Sequence, residues 1–439
     1  MALAEATSPP SETALTQTMG RPWKLAWCHN GDAGGSKRFA FEMVRELSKR
    51  GHVLDEVIIR GPATDSDYLP LKPFVRTSME MIVHSPNLSR LRPYLVYSSA
   101  LLAYAVWKVR QRHRDFQILA DKINKSDYDF VHIDQYPFCR TTSILPYLDL
   151  PTVLYSHEPS PARYLSVNSN GALREPFGLK GAYTFVCENL HLLADHLQNR
   201  HDIRLTNHAQ TILINSQYSR EVFFQRYGRL SRVCHYGVDH ETFRPLSLPV
   251  ESMVVSIGRI VKAKQHHTAI EAVGMIDRIV RPRMVIATPE SKDSLKDPTY
   301  RAWIEKLAKD KGVALEIWYR PSQHELARLY NRAIALIFVP IMEPFGLVAI
   351  EAMACGTPVI GVREAGIRES VVDGVSGILV DRNSGEIAEA ILRLMVSQNL
   401  RASISKQAVE YVHRRWTWQQ AADRYEKEVG KLLEGVRGL

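Results

Sequence analysis

Glu343-Pro344-Phe345-Gly346-Leu347-Val348-Ala349-Ile350-Glu351-Ala352-Met353-Ala354-Cys355-Gly356-Thr357-Pro358-Val359-Ile360 is the stretch on which the fold turns. It follows Ala335–Val339, an apolar run that reads as a strand, and it predicts a turn, a helix and a further strand from Pro358. Pro344 is expected in the first helical turn, where a missing N–H costs nothing. Gly346 allows a ligand to approach the backbone closely, and the free N–H groups of that turn form a site for a diphosphate. Glu351 lies eight residues beyond Glu343, about 12 Å along if both are helical. Gly356 is the expected helix stop.

Outward from this stretch, short β-branched runs alternate with longer amphipathic segments. One series runs from Leu25–His29 through Glu56–Ile59, Phe130–Ile133, Thr152–Ser156 and Thr211–Asn215 to Arg232–His235. A second runs from Met253–Ile257 through Met284–Ala287, Leu315–Trp318, Ala335–Val339 and Pro358–Gly361 to Ile378–Val380. Near-continuous apolar strands between helical patterns are the mark of parallel sheets covered on both faces. The expectation is an α/β chain of two Rossmann-like domains facing each other across a cleft. Its divisions fall at a tail over 1–22, a first domain over 23–240, a second over 241–412, and a helix over 413–439 that returns to the first. Residues 65–115 interrupt the rhythm with an apolar, aromatic run, Pro93–Trp107, ending in the basic stretch Lys108–Arg114. That reads as a core helix with a solvated basic end, or as a helix resting on an anionic bilayer.

The chain has 439 residues, 45% of them hydrophobic and 23% charged, which excludes an extensively disordered protein. Net charge is +9, which suits an anionic partner without choosing among phosphates, acidic lipid and nucleic acid. Cys28, Cys139, Cys187, Cys234 and Cys355 show no CxxC spacing, so a disulfide framework or zinc site is not expected and a reducing cytoplasm is. The first residues lack the apolar region of a signal peptide, and Pro93–Trp107 is too short to span a bilayer.

Two further loops follow strands. Asn30-Gly31-Asp32-Ala33-Gly34-Gly35-Ser36 carries a glycine pair that can line the cleft with backbone N–H groups, or simply make a tight turn. His157, in Tyr155-Ser156-His157-Glu158-Pro159, stands at a strand end, where a cleft-facing group belongs. His132 and Asp134, on the preceding strand end, read as packing beside the site.

The Glu343-x7-Glu351 spacing, followed by Ala-Met-Ala-Cys-Gly-Thr-Pro-Val359, resembles the retaining glycosyltransferases of family 4, which have the GT-B fold. Gly258-Arg259-Ile260-Val261-Lys262-Ala263-Lys264 resembles that family's Gly-Arg-x4-Lys element. The resemblance implies that Arg259 and Lys264 hold the donor pyrophosphate, with Lys262 a nearby competitor. It also implies that Gly34 and Gly35 lie against donor phosphates and acceptor, and that His157 touches the donor sugar. Glu343 would face that sugar or its developing positive charge, Glu351 the ribose, and Phe345, Gly346, Leu347 and Val348 would present backbone N–H groups. Asn215-Ser216 and Gly237-Val238-Asp239 match elements at the end of the first domain, with Tyr236 standing where the family has proline. Arg363-Glu364-Ala365-Gly366-Ile367-Arg368-Glu369 replaces the family's Gly-Gly turn with charge.

The implied reaction is same-face transfer of a sugar from a UDP- or GDP-sugar to an acceptor hydroxyl, with no metal and no cofactor beyond that co-substrate. The implied acceptor is a glycan, a lipid-linked glycan or a small molecule. Nucleic acid is not an expected partner, peripheral membrane contact stays open, and the oligomeric state is not legible. Two other readings remain: a nucleotide-sugar epimerase or hydrolase on the same fold, and a basic binding protein without catalysis. The joint presence of Glu343, Glu351, Arg259 and Lys264 argues against the latter.

Overall fold

A computed structural model describes residues 21–30, 34–60, 69–82, 114–135, 143–158, 200–293 and 295–438. The basic aromatic segment and the Gly31–Ala33 half of the glycine loop lie outside the described residues.

The first half of the chain forms β1 (Lys24–His29), α1 (Gly35–Lys49), β2 (Val53–Arg60), β3 (Thr77–Ile82), β4 (Phe130–Asp134), β5 (Thr152–Ser156), β6 (Thr211–Ile214), α2 (Gln217–Tyr227) and β7 (Arg232–Val233). The second half forms β8 (Met253–Ile257), α3 (His266–Met275), β9 (Arg283–Thr288), α4 (Pro298–Lys311), β10 (Leu315–Tyr319), α5 (Gln323–Arg332), β11 (Ala335–Phe338), α6 (Leu347–Ala354), β12 (Val359–Val362), β13 (Gly377–Val380), α7 (Ser384–Val396), α8 (Gln398–Arg415) and α9 (Trp418–Arg437). Local chemistry sets the helix ends. Ser322 and Glu325 close a capping box on α5, Asp297 caps α4 ahead of Pro298, and Gly312 ends α4 in the left-handed conformation.

Both sheets are parallel: a seven-stranded one ordered β3-β2-β1-β4-β5-β6-β7 and a six-stranded one ordered β10-β9-β8-β11-β12-β13. Each reverses direction of build beside its first strand, between β1 and β4 and between β8 and β11. Crevices at such switch points, beyond the strand C-termini, are where α/β sheets bind ligands. The two Rossmann-like halves thus carry opposed sites across one cleft.

The segment expected to interrupt the first sheet in fact adds β3 to its edge. Thr77-Ser-Met-Glu-Met-Ile82 alternates polar and apolar residues and is half exposed, so it lacks the continuous apolar signature of the inner strands.

Alternate residues of β1 serve different cores. Ala26 and Cys28 face a core of the first half alone, with Val131, Ile133, Phe116 and Phe223. Leu25 and Trp27 face a core that runs on through Tyr236, Phe345 and Trp418 into the second half. The chain passes between the halves twice, and the passages touch: Val238 N donates to the Trp416 carbonyl at 3.0 Å, and Val238 bridges Thr417. Helix α9 then packs on α1, where Arg50 donates to Asp423 (2.8 Å) and Glu426 (2.6 Å).

At this crossing, a Cβ on Gly237 would stand 2.4 Å from the Thr417 carbonyl carbon and the Trp418 nitrogen. Gly237→Ala is therefore expected to cost about 2 kcal/mol or more, read as a lowered denaturation midpoint. An unchanged midpoint would mean the passages separate freely.

Candidate functional site

On the six-stranded side, the site is built from the loops after β8 and β11, the two strands at the switch point. Gly258, at φ 150°, leaves room for the Lys264 stem, whose Cδ lies 3.4 Å from where a Cβ would stand. Lys264 Nζ then reaches Glu343 Oε2 at 2.7 Å. Ile341 N donates to Ala263 O at 2.9 Å and ties the two loops together. Lys262, the competing cation, is exposed. Arg259 lies beside them on a braced backbone: its carbonyl accepts from His266 Nε2 (3.1 Å), and Ile260 N donates to Glu290 (2.7 Å).

Helix α6 starts one turn later than its sequence suggested. Gly346 is the N-cap, left-handed at φ 93°, so Pro344 precedes the helix instead of entering its first turn. The Pro344 carbonyl accepts from Ser216 Oγ at 2.6 Å, and the Gly346 conformation is what turns the chain from that contact into the helix. No side chain caps α6, which leaves the N–H groups of Leu347 and Val348 at its positive end. The Phe345 ring is buried among Tyr236, His235 and Trp416. Gly356, left-handed at φ 76°, follows the helix end.

Glu351 is buried, and Arg38 of α1 pairs with its Oε1 from across the cleft while the Tyr330 hydroxyl lies 3.3 Å from Oε2. Farther along, Glu369 accepts from the N–H groups of Gln217 (2.8 Å) and Tyr218 (2.7 Å), the positive end of α2. The charged turn that departs from the family pattern thus faces the opposite half.

On the seven-stranded side, Asp134 at the end of β4 is a buried hub. Its Oδ1 accepts from His132 Nε2 (3.1 Å) and His157 Nε2 (2.9 Å), and its Oδ2 from Trp27 Nε1 (3.0 Å). Burial alone would raise this carboxyl, but the two imidazoles outweigh it and hold it below the usual carboxylate range. An ionised carboxylate only accepts, so each ring carries a proton on Nε2. The Nδ1 partners are the Tyr425 hydroxyl for His132 and the Tyr236 hydroxyl for His157, each at 2.8 Å. Asn215 donates to the His157 carbonyl at 2.7 Å. Both ring nitrogens of His157 are therefore committed inside the protein. Gly34 and Gly35 open α1 with space around them: a Cβ on either meets nothing within 4 Å among the described residues.

Beside β1, His29 Nε2 lies 2.8 Å from Glu56, which also accepts from Ser78 Oγ (2.7 Å), and Lys37 Nζ is 3.9 Å from the same carboxylate. Burial lowers both His29 and Lys37. With Arg60, Lys72 and Arg76 these groups border a cavity of about 620 Å³.

One of these participants escaped the sequence reading: Arg38 announces itself only as a cation just inside the helix after Gly34-Gly35. Asp134, read as packing beside the site, is instead its hub, and Glu369, read only as part of a charged turn, meets the start of α2. Among the described residues no cluster of three or more His, Cys, Asp or Glu has the arrangement of a metal site, and no helix is long and apolar enough to cross a membrane.

Because the Arg38–Glu351 pair is almost completely buried, Arg38→Ala should cost about 3 kcal/mol by stranding the carboxylate. Arg38→Ala/Glu351→Gln should cost less than the sum of the single changes in urea unfolding, and strict additivity would refute the pairing. Burial also holds His266 and His240 down to about 4 from an ordinary 6.5. The unfolded chain then binds more protons between these values, so stability is full above about pH 6.5 and falls as pH drops toward 4. Urea midpoints across this range should show that slope, flattened in His266→Asn.

The model for Glycosyltransferase Family 4 matches residues 33–242, and that for Glycosyl transferases group 1 matches residues 240–411. A D-inositol 3-phosphate glycosyltransferase from Streptomyces bingchenggensis is 33% identical over 253 residues, 53% of this chain and 55% of that protein. The protein of the same name from Mycobacterium ulcerans is 26% identical over 94% of this chain and 86% of its own length. The chain spans about half the length of the first curated relatives it matches. Among solved structures, sucrose-phosphate synthase from Thermosynechococcus elongatus superposes at a TM-score of 0.72 with 19% identity, covering 94% of this chain and all of that one. Anabaena HepE in complex with UDP-glucose gives 0.65 and 17%, covering 95% of this chain and 100% of its own. These two likenesses are of fold. With each half matched by a glycosyltransferase family and the two-domain fold shared throughout, the chain is related to the GT-B glycosyltransferases of family 4 and group 1.

Proposed function

We propose that this protein transfers a sugar, with retention of anomeric configuration, from a UDP- or GDP-sugar to a hydroxyl of a small anionic polyol. The observation that carries the donor half is the Lys264–Glu343 contact at 2.7 Å beside the uncapped start of α6. It sets a cation, a carboxylate and free N–H groups around one point beyond the switch of the six-stranded sheet.

In this reading Arg259, Lys264 and the N–H groups of Leu347 and Val348 receive the pyrophosphate, with Phe345 and Gly346 shaping the turn. Fixed cations stabilise a departing diphosphate most as its charge grows, and the departing oxygen takes the acceptor proton on the same face. Glu343 faces the sugar or its developing positive charge, releasing Lys264 to the phosphate. Glu351 takes the ribose hydroxyls. Only 2% of its side chain is exposed, so donor entry requires the Arg38 contact to open. His157, held by Asp134 and Tyr236, forms a wall of the sugar pocket instead of transferring a proton. Gly34 and Gly35 let phosphate and acceptor approach α1. The acceptor domain ends and the donor domain begins near residue 240.

The acceptor half rests on the cavity beside β1 to β3. Buried Lys37 and Lys72 at its rim suit a negatively charged group, beside Arg60 and Arg76, which pair with Glu80 and Asp55. His29, Glu56 and Ser78 suit hydroxyls. The curated relatives are named for D-inositol 3-phosphate, a polyol of this chemical class.

Donor binding is tested by thermal shift against UDP, GDP, ADP and TDP and their sugar conjugates; stabilisation by none of them would refute the donor assignment. Lys264→Ala and Glu343→Ala should each lower kcat/KM at least about tenfold, a loss of about 1.4 kcal/mol or more. Unchanged values in folded variants would refute the site. Lys37→Met should raise the acceptor KM about tenfold while leaving the donor KM alone, and equal effects on both would place the acceptor elsewhere. Product NMR reads the anomeric outcome, and free sugar or epimer formed without acceptor would favour a hydrolase or epimerase.

A further inference from the structure

A second crevice, of about 370 Å³, lies where the chain passes between the two halves. Arg414 and Arg415 come from the end of α8, Gln420, Asp423 and Arg424 from the start of α9, and His235 from the segment entering the other passage. Three guanidinium groups thus border a space with one carboxylate, Asp423, which is itself bonded to Arg50 at 2.8 Å. Glu369 stands behind His235 at 3.5 Å and is occupied by the α2 N-terminus.

Arg424 is the telling residue. Its guanidinium is half-buried, and among the described residues its one hydrogen bond is a 3.5 Å approach of Nη2 to the His235 carbonyl. Its Nε is buried without a hydrogen-bond partner among the described residues. Burial disfavours its charge and outweighs the opposing pull of Cys234, Tyr155 and Asp423, with Arg415 adding a smaller repulsion. Arg414 and Arg415 have no carboxylate partner among the described residues either; Arg415 lies over the rings of Tyr411 and Trp416. Gln420 donates from Nε2 to the Arg414 carbonyl at 3.0 Å, which fixes its orientation, and its buried Oε1 lacks a donor. Arg424, half-buried and short of acceptors, is the cation a bound anion would satisfy, while exposed Arg414 and Arg415 add positive charge at the mouth of the crevice. The combination of spare donors and a spare acceptor selects an oxyanion that also carries a hydroxyl.

We propose that this crevice binds a hydrogen-phosphate group, free or as the head of a phosphorylated molecule, at a site separate from the donor cleft. Its ligands come from both passages of the chain, His235 on one side and residues 414–424 on the other. The anion therefore clamps the two passages together and stiffens the junction about which the halves move.

Inorganic phosphate, compared with chloride at equal ionic strength, is the first probe, read by thermal shift and calorimetry. At roughly a hundredfold excess over its dissociation constant it should raise the Tm by about 3–5 °C. The gain should persist in Arg259→Gln/Lys264→Gln, where the donor cleft is disabled, and vanish in Arg414→Gln/Arg415→Gln, whose exposed side chains can change without harm to the core. Arg424→Gln should abolish it as well. Phosphatidylcholine vesicles doped with phosphatidic acid form the second arm: sedimentation with them, lost in Arg414→Gln/Arg415→Gln, would identify a lipid headgroup as the source. No response to either probe, or a response that survives in the double variant at Arg414 and Arg415, overturns the proposal. Because the donor-cleft variant is tested in parallel, failure here is distinguishable from failure of the transferase assignment.

Discussion

The contact between Gly237-Val238 and Trp416-Thr417 is the constraint on which the molecule depends. Each half carries its chemistry at the C-terminal edge of its own sheet, and neither edge is a site until the other faces it. The two passages of the chain decide how they face. They lie against each other so closely that one position has no room for a side chain, and the core continues through them by way of Tyr236, Phe345 and Trp418. Around this joint a second set of contacts crosses the cleft: Ser216 to Pro344, Glu369 to the start of α2, and Arg38 to Glu351. The loops that would grip a donor are therefore the same loops that hold the halves together.

Within the first half, one carboxylate organises the floor of the cleft. Asp134 fixes the Nε2 proton of two histidines, and the histidines in turn fix two tyrosines, one from the hinge and one from α9. A charge buried this deeply is tolerated because three donors meet it. The network explains the place of Tyr236: its hydroxyl is a member of the hub, and its hydrogen bonds brace the segment that leads into the second half.

Much of this was legible in the residues. The inner strands declared themselves because parallel sheets need unbroken apolar runs, and the Glu343–Pro358 stretch declared the turn and helix that follow β11. Strand β3 did not, because an edge strand exposed on one face alternates polar and apolar residues like a loop with hydrophobic accidents. The entry to α6 was misplaced at Pro344 because the deciding fact, the left-handed Gly346, is a conformation and not a composition. His157 was picked by its place at a strand end, yet sequence does not reveal that both its nitrogens are consumed by Asp134 and Tyr236. Glu351 was seen as a carboxylate at helical spacing, while its cation, Arg38, comes from a helix more than half the chain away. Pairings of that kind are set by how two sheets dock, which no local pattern encodes.

Helix α9 has a consequence for how the protein is made. It follows the whole second half in sequence, yet it packs on α1, salts Arg50 and His52, and gives Tyr425 to the buried His132. During synthesis the strands of the first half emerge early and can pair, but the face of their sheet around Trp27 and His132 has only α1 upon it until α9 leaves the ribosome. The second half meets no such delay, since the helices packed on its sheet, α3, α5, α6 and α7, lie within the same stretch of chain. The later domain is thus free to finish first, and the earlier one waits, with an apolar face open to chaperones, for the helix that closes it.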